Sequence, residues 1–147
     1  MAEITGWCLA GPGQVPDSEV TRLAADLEAA VRRLAAQGVL WFWAGGALGF
    51  DTLAELTVMK VREQMPQVHL GLLLPGEDQT AGWHPANTAV YEVIRSRADA
   101  VEYAAGQAQA AALAARCAGC IAWCPPGQPE PPLAARARQA GLELLLL

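Results

Sequence analysis

Six short runs of almost unbroken apolar residues, each closed by glycine, proline or a polar break, punctuate this 147-residue chain. They are Ile4–Leu9, Val39–Ala44, Val68–Leu74, Ala100–Tyr103, Ala118–Cys124 and Leu142–Leu147. Strands that are apolar at every position, rather than at alternate ones, are buried on both faces. The stretches between them have helical spacing. Val20, Leu23, Leu27, Val31 and Leu34 recur every three or four residues behind Asp17 and Ser18, and Gly38 supplies the stop. Further helices are expected from about Asp51 to Met65 (closed by Pro66), through Val90, Val93 and Ile94, from Gln107 to Arg116 and from Leu133 to Ala140. Strands alternating with helices of this length make right-handed crossovers and a parallel sheet. The pattern predicts one α/β domain over residues 1–147, a doubly wound, mainly parallel sheet of five to six strands flanked by helices.

Composition narrows the functions open to such a domain. An apolar fraction of 53% against 17% charged residues excludes a disordered chain. Ten Lys and Arg against fifteen Asp and Glu leave a net charge of -5, the wrong sign for a protein that gains affinity by neutralising a nucleic-acid backbone. No stretch approaches the roughly 20 apolar residues that span a bilayer, so no membrane partner is expected. The opening MAEITGWCLAGPG lacks the basic and long apolar regions of a secretory leader. Four cysteines without a leader point to reduced thiols and a cytoplasmic location.

In doubly wound sheets ligands sit beyond the carboxyl ends of the strands, where strand order reverses. Four loops qualify: Ala10–Pro16, Gly45–Phe50, Pro75–Trp83 and Pro125–Pro132. The second is the richest chemically. Gly45, Gly46 and Gly49 surround Ala47 and Leu48 between a strand and a helix. Glycines there permit positive φ and let a ligand approach the backbone, while the helix N-terminus offers N–H donors suited to phosphate. The turn is neither GxGxxG nor a P-loop. Asp51, with Glu55 behind it, is placed to hold a ribose hydroxyl, and an aspartate there is also a favoured helix cap.

Other residues carry weaker signals. Glu77, Glu55 and His84 are candidate acid/base groups, against a reading of solvated or packed side chains. Trp83 is a candidate for stacking on a base, while Trp7, Trp41, Trp43 and Trp123 read as core. Arg95 and Arg97 can hold phosphate or simply complement a helix end. His69 reads as a packed strand residue. Cys8, Cys117, Cys120 and Cys124 invite a metal reading, but a cysteine in an apolar strand behaves as a small buried hydrophobe, and no metal site is assigned.

The run Gly45-Gly46-Ala47-Leu48-Gly49-Phe50-Asp51-Thr52-Leu53-Ala54-Glu55 resembles the glycine turn of the SLOG superfamily, which groups the Smf/DprA proteins with the LOG (lonely guy) phosphoribohydrolases. Its small YpsA/YoqJ-like branch is the nearer resemblance. Thr5-Gly6 stands where that branch has Thr-Gly-His-Arg-Pro, Pro75 to Trp83 resembles its Pro…Gln…Trp loop, and Tyr91-Glu92-Val93-Ile94 and Ala98-Asp99-Ala100-Val101 follow as they do there. The resemblance implies a Rossmann-like domain that binds a nucleotide or nucleotide-derived ligand, with no other cofactor firmly implied. By it, Gly45, Gly46, Ala47 and Gly49 hold the ligand, Gly6 and Trp7 form the neighbouring wall, Asp51 orients a ribose, and Gln79 and Trp83 close over the base.

The chain departs from the pattern in two places. Trp7-Cys8-Leu9 replaces His-Arg-Pro, and the proline-filled Cys124–Pro132 segment replaces a Gly-Gly-Thr turn. The Pro-Gly-Gly-x-Gly-Thr-x-x-Glu signature of the phosphoribohydrolases is absent from the sequence. Binding or sensing is therefore expected over catalysis. The alternatives are hydrolysis of a nucleoside 5′-monophosphate, a DprA-like role on single-stranded DNA, and a degenerate interaction scaffold. Self-association into a homo-oligomer is expected from the apolar last strand and the alanine-rich helix.

Overall fold

The computed structural model describes residues 6–147. The chain alternates β1 (Gly6–Ala10), α1 (Asp17–Ala36), β2 (Trp41–Ala44), α2 (Phe50–Gln64), β3 (His69–Leu74), α3 (Pro85–Arg97), β4 (Ala100–Tyr103), α4 (Gln107–Ala115), β5 (Cys117–Ala122), α5 (Pro132–Gln139) and β6 (Glu143–Leu146). All strands are parallel, in the order β4-β3-β2-β1-β5-β6. This is the expected doubly wound α/β domain. Ile4 and Thr5, expected to open the first strand, lie outside the described residues. Cys124, expected in the fifth strand, is exposed beyond its end.

Local chemistry accounts for the helix ends. Asp17 and Glu19 occupy the first turn of α1, where carboxylates oppose the helix dipole favourably. Gly38, at φ +101°, ends the turn that follows it. Pro85 and Pro132 occupy the first turns of α3 and α5, where the missing N–H costs nothing. At the start of α3 the Ala86 N–H donates to His84 Nδ1 (3.1 Å).

Alternation along the strands divides the core into two faces. Leu9, Phe42, Leu70, Leu72 and Ile121 pack beneath α1, α2 and α3, against Leu23, Leu27, Val31, Phe50, Val58 and Ile94. Cys8, Ala10, Trp43, Leu73, Cys120 and Ala122 face the opposite layer, against Leu113, Ala134 and Ala137 of α4 and α5. Each face carries one matched large–small pair across neighbouring strands. Trp7 is in register with Gly119 and Trp43 with Gly71. A Cβ on either glycine would stand 2.4 or 2.5 Å from the facing indole, so only glycine admits the ring at those positions. Among the described residues no helix is long and apolar enough to cross a membrane.

Candidate functional site

From β1 the chain winds outward through β2, β3 and β4, then returns to the other side of β1 for β5 and β6. The connections leaving β1 and β5 therefore diverge. At that switch point, over the carboxyl ends of the strands, lies a cavity of about 730 Å³, within the range of small-molecule sites. Leu9, Ala10 and Gly11 lie at the end of β1. Gly45, Ala47 and Asp51 come from the glycine turn, and Pro75 and Gln79 from the β3–α3 loop. Gly106, Gln107, Gln109, Ala110 and Leu113 come from the start of α4, and Pro131 to Leu133, Ala135, Arg136 and Gln139 from α5.

The glycine turn is braced from within. The Gly46 N–H donates to Glu55 Oε2 (3.1 Å) and the Ala47 N–H to Asp51 Oδ2 (3.2 Å). Spaced four apart on α2, Asp51 and Glu55 share one helix face, and both carboxyls turn back on the loop. Thr52 Oγ1 donates to the Ala47 carbonyl (3.1 Å). From across the cavity, Gln109 Nε2 donates to the carbonyls of Gly45 (3.2 Å) and Leu73 (2.7 Å), tying α4 to the ends of β2 and β3. The first N–H of α2, that of Phe50, donates to the Pro12 carbonyl (3.1 Å).

Two of the glycines meet steric demands in full. Gly46 (φ +77°) would place a Cβ 2.4 Å from Leu74, and Gly49 (φ +81°) one 2.4 Å from the Gly13 backbone. Both positions combine positive φ with no space.

The two carboxyls titrate abnormally. Burial pushes Asp51 up to about 7, although the N–H groups of Ala47 and Gly45 pull it partly back. Burial, reinforced by the nearby Asp51 charge, holds Glu55 well above the ordinary carboxylate range. Glu55 is only 2% exposed, so burial and the neighbouring carboxyl both favour its neutral form, and Asp51 shares the site with its own carboxyl raised by burial.

The expected site residues separate into three groups. Gly45, Ala47, Asp51 and Gln79 line the cavity. Gly46, Gly49 and Glu55 hold the turn in shape from behind it. The rest lie elsewhere. Gly6 and Trp7 do not form the neighbouring wall, because β1 runs on to Ala10. At about 3.3 Å per residue, Gly6 stands roughly 13 Å below the strand end, and Leu9, Ala10 and Gly11 take the wall instead. Trp7 is core, packed on Gly119.

Trp83 is outside the lining and meets Tyr91 edge-on, 5.5 Å between ring centroids. His84 is exposed and spent on capping α3. Glu77 is exposed in the β3–α3 loop and is not among the residues lining the cavity. Asp51 is not the helix cap: Gly49 holds that position, and Asp51, in the first turn, reaches back to Ala47. Arg95 pairs with Glu92 (2.8 Å), and His69 packs against Trp41 with the rings tilted by 34° and their centroids 4.7 Å apart. Cys8, Cys117 and Cys120 are buried in the core.

Sequence reasoning missed the opposite wall. Gln107, Gln109, Arg136 and Gln139 come from helices that read as structural. The available signal was the pair of polar residues set in the alanine-rich α4, which an exposed helix face would not distinguish.

Comparison with known proteins agrees with this architecture. The family model for YpsA, described as the YspA SLOG family, matches residues 14–116. The chain is 32% identical over 83 residues to UPF0398 protein OB1025 of Oceanobacillus iheyensis, covering 56% of this chain and 45% of that protein. It is 30% identical over 83 residues to UPF0398 protein BH1768 of Halalkalibacterium halodurans, covering 56% and 44%. A UPF0398 protein of Bacillus pumilus is 30% identical over 80 residues, covering 54% and 43%. The matches thus span less than half the length of these curated relatives. With the family model covering most of its length and a glycine turn at the switch point of a parallel sheet, the chain belongs to the YpsA family of the SLOG superfamily.

Proposed function

We propose that this domain binds a nucleotide or nucleotide-derived small molecule in the switch-point cavity, as a binding or sensing module. One observation carries the reading: a cavity of about 730 Å³ whose walls combine a glycine turn, an aspartate and four glutamines over an apolar floor. Such a mixture of an apolar body and a few convergent polar groups is how small-molecule sites secure orientation. Gly45, Ala47, Asp51 and Gln79 form the wall nearest the turn, with Arg136 supplying a cation on the far side.

The test is a thermal-shift screen of the full chain against AMP, ADP, ATP, NAD, ADP-ribose and cyclic nucleotides. A ligand at about 100 times its Kd stabilises by about 2.7 kcal/mol, or roughly 5–10 °C for a domain of this size. Ala110→Phe, which projects a ring into the cavity from α4, is expected to abolish the shift. No shift with any compound, or an equal shift in the filled variant, refutes the proposal.

A second reading rests on Asp51, a cavity-lining carboxyl raised to about 7, which suits an acid/base group at neutral pH. On it, the domain hydrolyses the N-glycosidic bond of a nucleoside 5′-monophosphate, with Asp51 rather than Glu77 or Glu55 facing the substrate. Release of free base from AMP, lost in Asp51→Asn, is the expected result; no release from any purine or pyrimidine monophosphate sinks it.

A further inference from the structure

Of the glutamines that line the cavity, Gln109 is the one held by side-chain hydrogen bonds among the described residues. Its amide nitrogen carries two protons, and both are committed, to the carbonyls of Leu73 (2.7 Å) and Gly45 (3.2 Å). Turning the amide over would set its oxygen against those same two oxygens, acceptor on acceptor, so its orientation is determined. Gly45 makes the arrangement possible, because a Cβ there would stand 2.8 Å from Gln109 Nε2.

The consequence lies at the other atom of the amide. Gln109 Oε1 accepts no hydrogen bond from the described residues. Nor is it enclosed, unlike Gln79 Oε1 and Tyr91 Oη, the buried side-chain atoms left without a partner among those residues. An unpaired oxygen that is not enclosed, on a residue lining the cavity, is open to whatever the cavity holds. With its N–H groups spent, this amide can only accept. Its surroundings are apolar: Gly106, Ala110 and Leu113 line the cavity on the same face of α4 as Gln109, and Ala10 belongs with Leu113 to one core cluster. A single fixed acceptor in an apolar wall suits a flat ring with a donor on its edge.

We propose that Gln109 selects a nucleotide whose base carries an exocyclic amino group, of the adenine or cytosine type, over its keto counterpart. The inference rests on the binding role proposed above and names the base class and the residue that reads it. The amino group donates to Gln109 Oε1. A keto oxygen in its place faces that oxygen acceptor to acceptor, and the amide cannot turn over to answer it without losing both backbone hydrogen bonds.

Titration calorimetry of the full chain tests this with unmodified protein. AMP is compared with purine riboside 5′-monophosphate, which has hydrogen in place of the amino group, and with IMP; CMP is compared with UMP. Whichever series binds decides the matter. A neutral hydrogen bond is worth about two- to tenfold in affinity, and acceptor facing acceptor costs more. AMP is expected to bind at least about threefold more tightly than purine riboside 5′-monophosphate and at least about tenfold more tightly than IMP, and CMP at least about tenfold more tightly than UMP. Gln109→Met keeps the length of the side chain and removes the oxygen, so the preference for the amino base should fall to near unity, whatever the change in absolute affinity. If amino and keto bases bind equally, or the preference survives in Gln109→Met, selection by Gln109 is wrong and the binding role stands. If none of the nucleotides binds, both fail together.

Discussion

Replacing Asp51 by asparagine should change how stability depends on pH, in a direction and amount that follow from its surroundings. In the folded chain its carboxyl is raised from the ordinary 3.8 to about 7. Between those values the unfolded chain has lost the proton and the folded chain keeps it, so stability falls as pH rises and levels off above 7. At about 1.36 kcal/mol per pH unit, the fall between pH 5.5 and pH 8 is about 2 kcal/mol when fully expressed. Asp51 lines a cavity open to water, and solvent screening reduces this to about 1 kcal/mol.

Asparagine keeps an oxygen for the Ala47 N–H and removes the charge. The substitution also relieves Glu55, whose carboxyl is raised in part by Asp51, which acts in the same direction. Urea unfolding followed by tryptophan fluorescence, at pH 5.5 and pH 8, gives the comparison. The stability of Asp51→Asn relative to the parent should rise by at least about 1 kcal/mol across that interval. Two parallel stability curves would show that Asp51 ionises as a solvated carboxyl and would refute the reasoning.

Four further outcomes are expected. Glu55→Gln keeps an acceptor for the Gly46 N–H, so at pH 7 it should change stability by less than about 1 kcal/mol, whereas Glu55→Ala orphans that donor and leaves a void, for a loss of about 2–4 kcal/mol in denaturant unfolding. Gly119→Ala puts a methyl 2.4 Å from the Trp7 ring, an overpacking of about 1–3 kcal/mol that calorimetry should register as a Tm lower by roughly 3–10 °C. Gln109→Leu removes the donor shared by the Gly45 and Leu73 carbonyls and should destabilise by about 1–2 kcal/mol, with faster amide exchange at the glycine turn. His84→Ala removes the side-chain cap of α3 and should cost about 0.5–1 kcal/mol by the same unfolding assay, without altering ligand affinity.

Much of the architecture is legible in residue order because its causes are local. Continuous apolar runs such as Leu70–Leu74 report burial on both faces, and the spacing of Leu23, Leu27, Val31 and Leu34 reports a helix stripe, whatever the rest of the chain does. Parallel pairing then follows from the alternation of strand and helix. The glycine turn is legible for the same reason, since a strand–glycine–helix junction is a property of a dozen consecutive residues. Asp51 and Glu55, four apart on α2, are also a local pattern.

Tertiary structure decided what the turn does. Residue order shows a glycine turn rich in N–H donors; only the folded loop shows Gly46 and Ala47 giving theirs to Glu55 and Asp51. The length of β1 moved the wall from Gly6 and Trp7 to Leu9, Ala10 and Gly11, a displacement no motif reports. Gln109 reaches Gly45 from 64 residues away, and Arg136 and Gln139 arrive from the last helix. Contacts of that separation depend on strand order, which is set by how the helices pack across the whole sheet and leaves no trace in the spacing of either partner.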